Sequence, residues 1–112
     1  MGSGRIPKMK DFKSEIENIT NQIVKHYNPI KIILFGSCAN GSNSDKSDID
    51  LLIIKDTDKR PIERIHEAHK PLDYNIPVDI LVYTPVEVET LTSDDASFLG
   101  HILREGKVLY EC

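Results

Sequence analysis

Three aspartates lie in stretches of sequence that otherwise look like the core of a protein. Asp48 and Asp50 lead into the apolar run 51–54, and Asp79 lies inside the apolar segment 78–83. Burying an ionised carboxylate without a partner is costly, so each acid needs a neutralising group or an exposed strand end. Clustered carboxylates repel one another, and a divalent cation is the simplest remedy. Because oxygen-only ligands favour Mg²⁺ or Mn²⁺ over zinc, the three acids predict a magnesium-type site.

A candidate phosphate-binding turn precedes the first two acids. Gly36 and Ser37 directly follow the apolar run 30–35, and Gly41 comes five residues after Gly36. Glycine allows a ligand to approach the backbone closely, and consecutive backbone amides at a helix start favour phosphate. By itself, a Gly-Ser pair after a strand usually has no role beyond reversing the chain. An Asp-x-Asp pair by itself is likewise usually part of a surface turn. Together, the two patterns supply both parts that a metal–triphosphate complex needs.

The apolar spacing predicts the elements that must position these residues. We expect a helix ending before Asn28, three buried strands, a helix between the second and third strands, a C-terminal helix that starts at Pro85 and ends near Gly106, and a weaker final strand. Their predicted ranges are 11–27, 30–35, 48–54, 62–72, 78–83, 85–106 and 108–110. This order indicates an α+β (α/β) fold with a mixed three- to four-stranded sheet and flanking helices.

The same elements predict how the acids meet. Side chains alternate along a strand, so Asp48 and Asp50 project from one face. Asp79 reaches the same patch if the third strand lies beside the second.

Composition limits the classes of protein to consider. The formal net charge of −4 argues against a protein built to coat nucleic acid. Residues 71–112 carry two basic and eight acidic residues, which suits either a basic partner or simply a solvated acidic surface. No apolar run approaches the roughly 20 residues that span a bilayer. Two distant cysteines, Cys38 and Cys112, fit a reducing cytoplasm. We expect one domain over 5–112, with 1–4 left by an expression vector.

The two patterns together resemble a known signature. The segments 36–41 (GSCANG) and 47–51 (SDIDL), with the third acid at Asp79, are similar to the motif of the nucleotidyltransferase superfamily of the polymerase-beta type. The likeness is closest to the minimal nucleotidyltransferase domain. It implies a polymerase-beta-like nucleotidyltransferase fold over the whole chain.

The resemblance implies a role for each matching residue. Gly36 and Ser37 would hold the β- and γ-phosphates of ATP. Asp48 and Asp50 would ligate two Mg²⁺ ions, and Asp79 would complete the metal site and help to deprotonate the attacking hydroxyl.

One position departs from the family pattern. Many relatives carry arginine where this chain has Asn40, so a cation that could steady the phosphates is missing. Lys46, in the following loop, is expected to substitute for it as a nucleotide-binding residue.

The resemblance also implies a partner. Similar stand-alone domains are often paired with a HEPN-type RNase toxin, and act as antitoxins that transfer AMP from ATP to a toxin tyrosine. The short chain leaves little surface for binding a second substrate. We therefore expect a partner protein to supply that surface or to be the acceptor itself. Two alternatives stay open: a non-catalytic module that masks its partner by contact, and an adenylyltransferase of a small molecule such as an aminoglycoside. The sequence also leaves the oligomeric state open.

Overall fold

A four-stranded mixed sheet organises the molecule. The structure, a computed structural model, describes residues 12–36, 48–93 and 97–112. The strands lie in the order β3-β2-β1-β4, with helices on both faces. The elements follow one another as α1 (Phe12–Tyr27), β1 (Lys31–Phe35), β2 (Ile49–Ile54), α2 (Pro61–His69), β3 (Val78–Tyr83), α3 (Pro85–Leu91), α4 (Phe98–Glu105) and β4 (Lys107–Glu111).

Strand direction explains why β3 lies beside β2. β1 pairs antiparallel with β2 on one side and with β4 on the other, whereas β2 and β3 are parallel. A parallel pair needs a crossover connection, and α2 provides it. The predicted α+β fold is confirmed, and β4 makes the sheet four-stranded.

The larger core lies between one face of the sheet and helices α1 and α2. Alternate residues of β2 (Ile49, Leu51 and Ile53) are fully buried there, against Ile19 and Ile23 of α1. The helix ends where predicted, because Asn28 adopts a left-handed conformation (φ 54°) just before Pro29.

The smaller core lies on the opposite face, under α4. It consists of Ile33, Leu52, Leu99 and Ile102. Asp50 lies on this second face, because it alternates with Leu51 and Ile53. Phe35, which pairs with Asp50, packs against this cluster, so Asp50 lies at its border.

The single C-terminal helix predicted over 85–106 is wrong: the structure has two helices, α3 and α4. α3 begins with a capping box in which the Thr84 hydroxyl accepts from the Glu87 amide and the Glu87 carboxylate accepts from the Thr84 amide. α4 begins at its own N-cap, Ser97, whose side chain accepts from the Gly100 amide. The serine cap outweighs the continuity of the apolar spacing.

Two residues of the predicted apolar stripes are also not in the core. Ile62 is 58% exposed and Phe98 is 61% exposed. Arg64, by contrast, is a basic residue that is 95% buried at the junction of α2 and α3. Among the described residues, no helix is both long and apolar enough to cross a membrane.

Candidate active site

Asp50 and Asp79 lie side by side at one end of the sheet. β2 and β3 run parallel in a register that pairs Asp50 with Asp79. Paired residues on neighbouring strands project to the same face, with the strands about 4.8 Å apart. Asp48 comes directly before β2 and, two residues from Asp50, is expected on that face. The amide of Ile49, between them, donates to the carbonyl of Pro77 at 2.9 Å, which ties the start of β2 to β3.

The environment of Asp50 disfavours its negative charge. Burial is the main reason that its pKa is raised above the usual 3.8, followed by the negative charges of Asp79 and then Asp48. A hydrogen bond with the Asp79 side chain also raises the pKa. Each of these influences disfavours the ionised carboxylate of Asp50. A bound cation or a proton shared with Asp79 would offset this unfavourable charge.

Gly36 brings the end of β1 against this carboxylate. Its φ of +80° lies in the left-handed region that favours glycine, and a Cβ atom at this position would collide with the Oδ2 atom of Asp50. Phe35, just before it, pairs with Asp50 across the β1–β2 ladder. Asp50 is thus flanked by β1, which ends in the predicted phosphate turn, and by β3, which carries Asp79.

Two of the predicted nucleotide-binding residues, Ser37 and Lys46, lie outside the described residues, as does Asn40. The structure brings together Gly36, Asp50 and Asp79, with Asp48 near enough to raise the pKa of Asp50. The roles given to all these residues stay predictions.

The donor chemistry of the acids fits magnesium. Across residues 12–36, 48–93 and 97–112, no group of three or more His, Cys, Asp or Glu side chains is arranged to hold a metal ion. Magnesium in nucleotide-handling sites is commonly held by one or two carboxylates together with substrate phosphates and waters. Asp50 and Asp79 supply a carboxylate pair of that type, and Asp48 is a further oxygen donor next to it.

A cleft opens beside Gly36 that the sequence analysis did not predict. It has a volume of about 440 Å³ and lies between the end of β1 and α4. We call it the Phe98 cleft; its lining residues are Phe35, Gly36, Phe98, His101, Ile102, Glu105 and Gly106. The rings of Phe35 and Phe98 meet edge to face, with centroids 6.1 Å apart. Phe98 was expected in the core stripe of the last helix, and only the position of α4 shows that its ring faces outward.

Comparison with known proteins decides the family. Residues 17–112 match the family model "Polymerase beta, Nucleotidyltransferase". The chain belongs to this family. A nucleotidyltransferase of this type transfers a nucleotide, which agrees with an acidic pair next to a glycine turn.

One relative in sequence and one solved structure of similar fold accompany this match. This nucleotidyltransferase is 39% identical over 82 residues to "Putative protein adenylyltransferase MJ0604" of Methanocaldococcus jannaschii, an alignment that covers 71% of this chain and 77% of that protein. Its fold matches a crystal structure titled as a putative nucleotidyltransferase from Sulfolobus solfataricus, with a TM-score of 0.60. That match covers 98% of this chain and 93% of the other; at 18% identity it supports the fold alone.

Proposed function

We propose that this nucleotidyltransferase transfers AMP from ATP, with Mg²⁺, to a tyrosine hydroxyl of a partner HEPN-type RNase toxin, and so acts as a cytoplasmic antitoxin. The observation that carries the proposal is the Asp50–Asp79 pair, in which the Asp50 carboxylate lies against Gly36 at the end of β1. The two carboxylates repel each other, and a divalent cation would relieve that repulsion. The exposed backbone at Gly36 lies beside them, where a phosphate group of a metal–nucleotide complex could bind.

The residues divide the work of the reaction. Asp48, Asp50 and Asp79 would hold Mg²⁺, which neutralises triphosphate charge and lowers the pKa of the acceptor hydroxyl. Gly36 lets the β- and γ-phosphates approach the backbone. The acceptor oxygen attacks the α-phosphorus, and the bond from that phosphorus to the pyrophosphate oxygen breaks. The hydroxyl proton passes to the Asp79 carboxylate, and pyrophosphate leaves.

Three observations support a protein as the acceptor. The relative in Methanocaldococcus jannaschii is named for adenylyl transfer to protein. In addition, residues 71–112 carry eight acidic residues against two basic ones, which suits contact with a basic RNA-cleaving partner. Asp79 itself is exposed, so a hydroxyl on another chain can reach it.

The test is transfer of AMP to the protein encoded next to this one in the genome. The two chains are co-expressed, MgATP is added to the complex, and intact-protein mass spectrometry measures the AMP increment. We expect the increment on the neighbour, its loss in Asp48→Asn/Asp50→Asn, and its retention in Asp58→Asn, an exposed acid that precedes α2.

The alternatives predict different results. Binding and full neutralisation of the toxin by the double variant, with no AMP adduct on any chain, would favour a module that acts by contact. Labelled AMP on an aminoglycoside rather than on a protein would favour a small-molecule adenylyltransferase.

A further inference from the structure

The Phe98 cleft is large enough for a ligand and continues from the acidic pair. Its volume of about 440 Å³ lies within the range of small-molecule sites, which is roughly 300–1,000 Å³. Gly36 belongs both to the lining of the cleft and to the turn that touches the Asp50 carboxylate. A molecule whose charged end lies at Gly36 and Asp50 can therefore extend into the cleft without crossing a covered part of the sheet.

The order of the strands separates this cleft from Asp79. β1 lies on one side of β2 and β3 on the other, so the cleft and Asp79 flank Asp50 from opposite directions. The two neighbouring strand spacings put about 10 Å between β1 and β3. A nucleotide lying across Gly36 and the cleft leaves the side of Asp79 open to the acceptor.

The lining of the cleft has the chemistry of a site for a flat aromatic group. The Phe98 ring is 61% exposed although it is large and apolar, and its edge-to-face contact with Phe35 orients it. His101 and Glu105 are one helical turn apart on α4 and both line the cleft. The cleft thus offers one ring for stacking and two polar side chains for the edge of a ligand.

We infer that the Phe98 cleft binds the nucleobase of the nucleoside triphosphate, with Phe98 stacking on the base and Glu105 favouring bases that carry an exocyclic amino group. A carboxylate accepts hydrogen bonds from such an amino group and repels a carbonyl oxygen, such as O4 of uracil, that lies at the same place. On this inference, Glu105 gives the site a preference for adenine over uracil. The inference rests on the proposed function, because it takes a nucleoside triphosphate as the substrate.

The experiment compares two ligands that differ by the nucleoside. Calorimetry measures binding of a non-hydrolysable ATP analogue and of inorganic tripolyphosphate, each with Mg²⁺, to the full chain. We expect Phe98→Ala to weaken the ATP analogue about 10-fold or more and to leave tripolyphosphate unchanged, because base stacking on an aromatic ring is lost. Phe98→Tyr should restore the affinity. Val86→Ala, on the exposed surface of α3, should change neither ligand.

Base preference provides a second, independent measurement. Glu105→Gln should reduce the preference for the ATP analogue over the UTP analogue by about 10-fold, since the amide can donate to the uracil oxygen. Thermal melts of each variant establish that it is folded.

The outcomes separate the inference from the proposed function. If the wild type binds the ATP analogue and Phe98→Ala binds it equally well, the inference is overturned. It is also overturned if Phe98→Ala raises only the KM for the acceptor, since the cleft then receives the acceptor. If the wild type with Mg²⁺ binds neither tripolyphosphate nor the ATP analogue, the nucleotidyl-transfer proposal fails first.

Discussion

The molecule treats charge in opposite ways in two regions. At the junction of α2, β3 and α3, the buried Arg64 guanidinium donates to both carboxylate oxygens of Glu87, at 2.7 and 3.1 Å. It also donates to the backbone carbonyls of Lys59 and Val82. The hydrogen bond from Arg64 is the main reason that the pKa of Glu87 is lowered, and the Thr84 amide contributes next. Both charges are satisfied within the chain.

At the acidic end of the sheet, the charges oppose one another. Burial, Asp79 and Asp48 all raise the pKa of Asp50. The first region has the pattern expected of a structural ion pair, in which each charge has a partner. The second has the pattern expected of a functional site, in which the neutralising group comes from outside the chain. The contrast leads to predictions that differ in sign for the two regions.

The largest effect is expected at Asp50. Asp50→Asn should lower the rate of AMP transfer by about 1,000-fold or more, because an amide is a poor substitute for a metal-binding carboxylate. The measurement is the initial rate of AMP incorporation under saturating MgATP. Asp58→Asn, which removes an exposed acid elsewhere, should retain the wild-type rate. A rate for Asp50→Asn within a few-fold of wild type would contradict a catalytic role for the acidic pair.

Breaking the satisfied pair should affect folding instead. Arg64→Met is expected to lower the free energy of unfolding by about 3 kcal/mol, because it removes the charge partner of Glu87 and leaves two backbone carbonyls without their donor. Urea unfolding measures the change. The matched control is Lys59→Met, which removes the exposed Lys59–Glu67 pair and should change the free energy of unfolding far less, because solvent screens an exposed ion pair. An equal loss of unfolding free energy in the two variants would show that the buried Arg64–Glu87 pair stabilises the fold no more than the exposed pair does.

Gly36 connects stability with activity. Gly36→Ala should lower the free energy of unfolding by about 2 kcal/mol, because the residue has a positive φ and its Cβ would displace the Asp50 carboxylate. It should also lower the rate of AMP transfer in the folded enzyme. Asn28→Ala is the control: it has a positive φ far from the acids, and should lower stability by about 1 kcal/mol without a change in rate. Full activity in folded Gly36→Ala would show that the turn does not position Asp50.

Lowering the pH should change the contributions of Asp50 and Glu87 to the Tm in opposite directions. These are the smallest of the predicted effects. Because the folded-state pKa of Asp50 is raised, its charge opposes folding at neutral pH in the absence of metal. Asp50→Asn should therefore raise the Tm at pH 7, and this gain should vanish as the pH falls toward 3.8, the ordinary pKa of the group. A lower Tm for Asp50→Asn at pH 7 without metal would contradict the account.

The charge of Glu87 should stabilise the fold, which is the opposite of the effect expected for Asp50. Its folded-state pKa is lowered from 4.5, so the pair with Arg64 stabilises the fold above that pH and the stabilisation is lost as the pH falls through the lowered value. Comparing the Tm of wild type and Glu87→Gln between pH 7 and pH 3 measures it. The destabilisation caused by the substitution should be present at pH 7 and decrease below 4.5; a constant difference would contradict this sign.

Much of the fold and part of the site follow from the sequence, for a physical reason. The apolar runs of β2 and β3 were identifiable as strands, and their acids were conspicuous against that background. β2, which is apolar on both faces, lies inside the sheet as expected, whereas β3 is an edge strand. The metal-site hypothesis required that β3 lie beside β2, and the structure meets this condition.

The residues that were missed depend on distant parts of the chain. Arg64 is buried only because Glu87, in another helix, satisfies it. Phe98 falls on the apolar spacing of its helix, yet it lies in the first turn of α4 and lines the cleft rather than the core. The spacing of apolar residues identifies the apolar face of a helix. It does not show which residues of that face extend beyond the edge of the sheet they cover. A large aromatic residue directly after the Ser97 cap is the signal that could have suggested the cleft.

The most direct test of the central claim is anomalous diffraction from crystals grown with Mn²⁺ and a non-hydrolysable ATP analogue. The account predicts a manganese peak about 2.1 Å from carboxylate oxygens of both Asp50 and Asp79, with the triphosphate next to Gly36. A manganese peak elsewhere, or Asp79 turned away from the bound nucleotide, would contradict it.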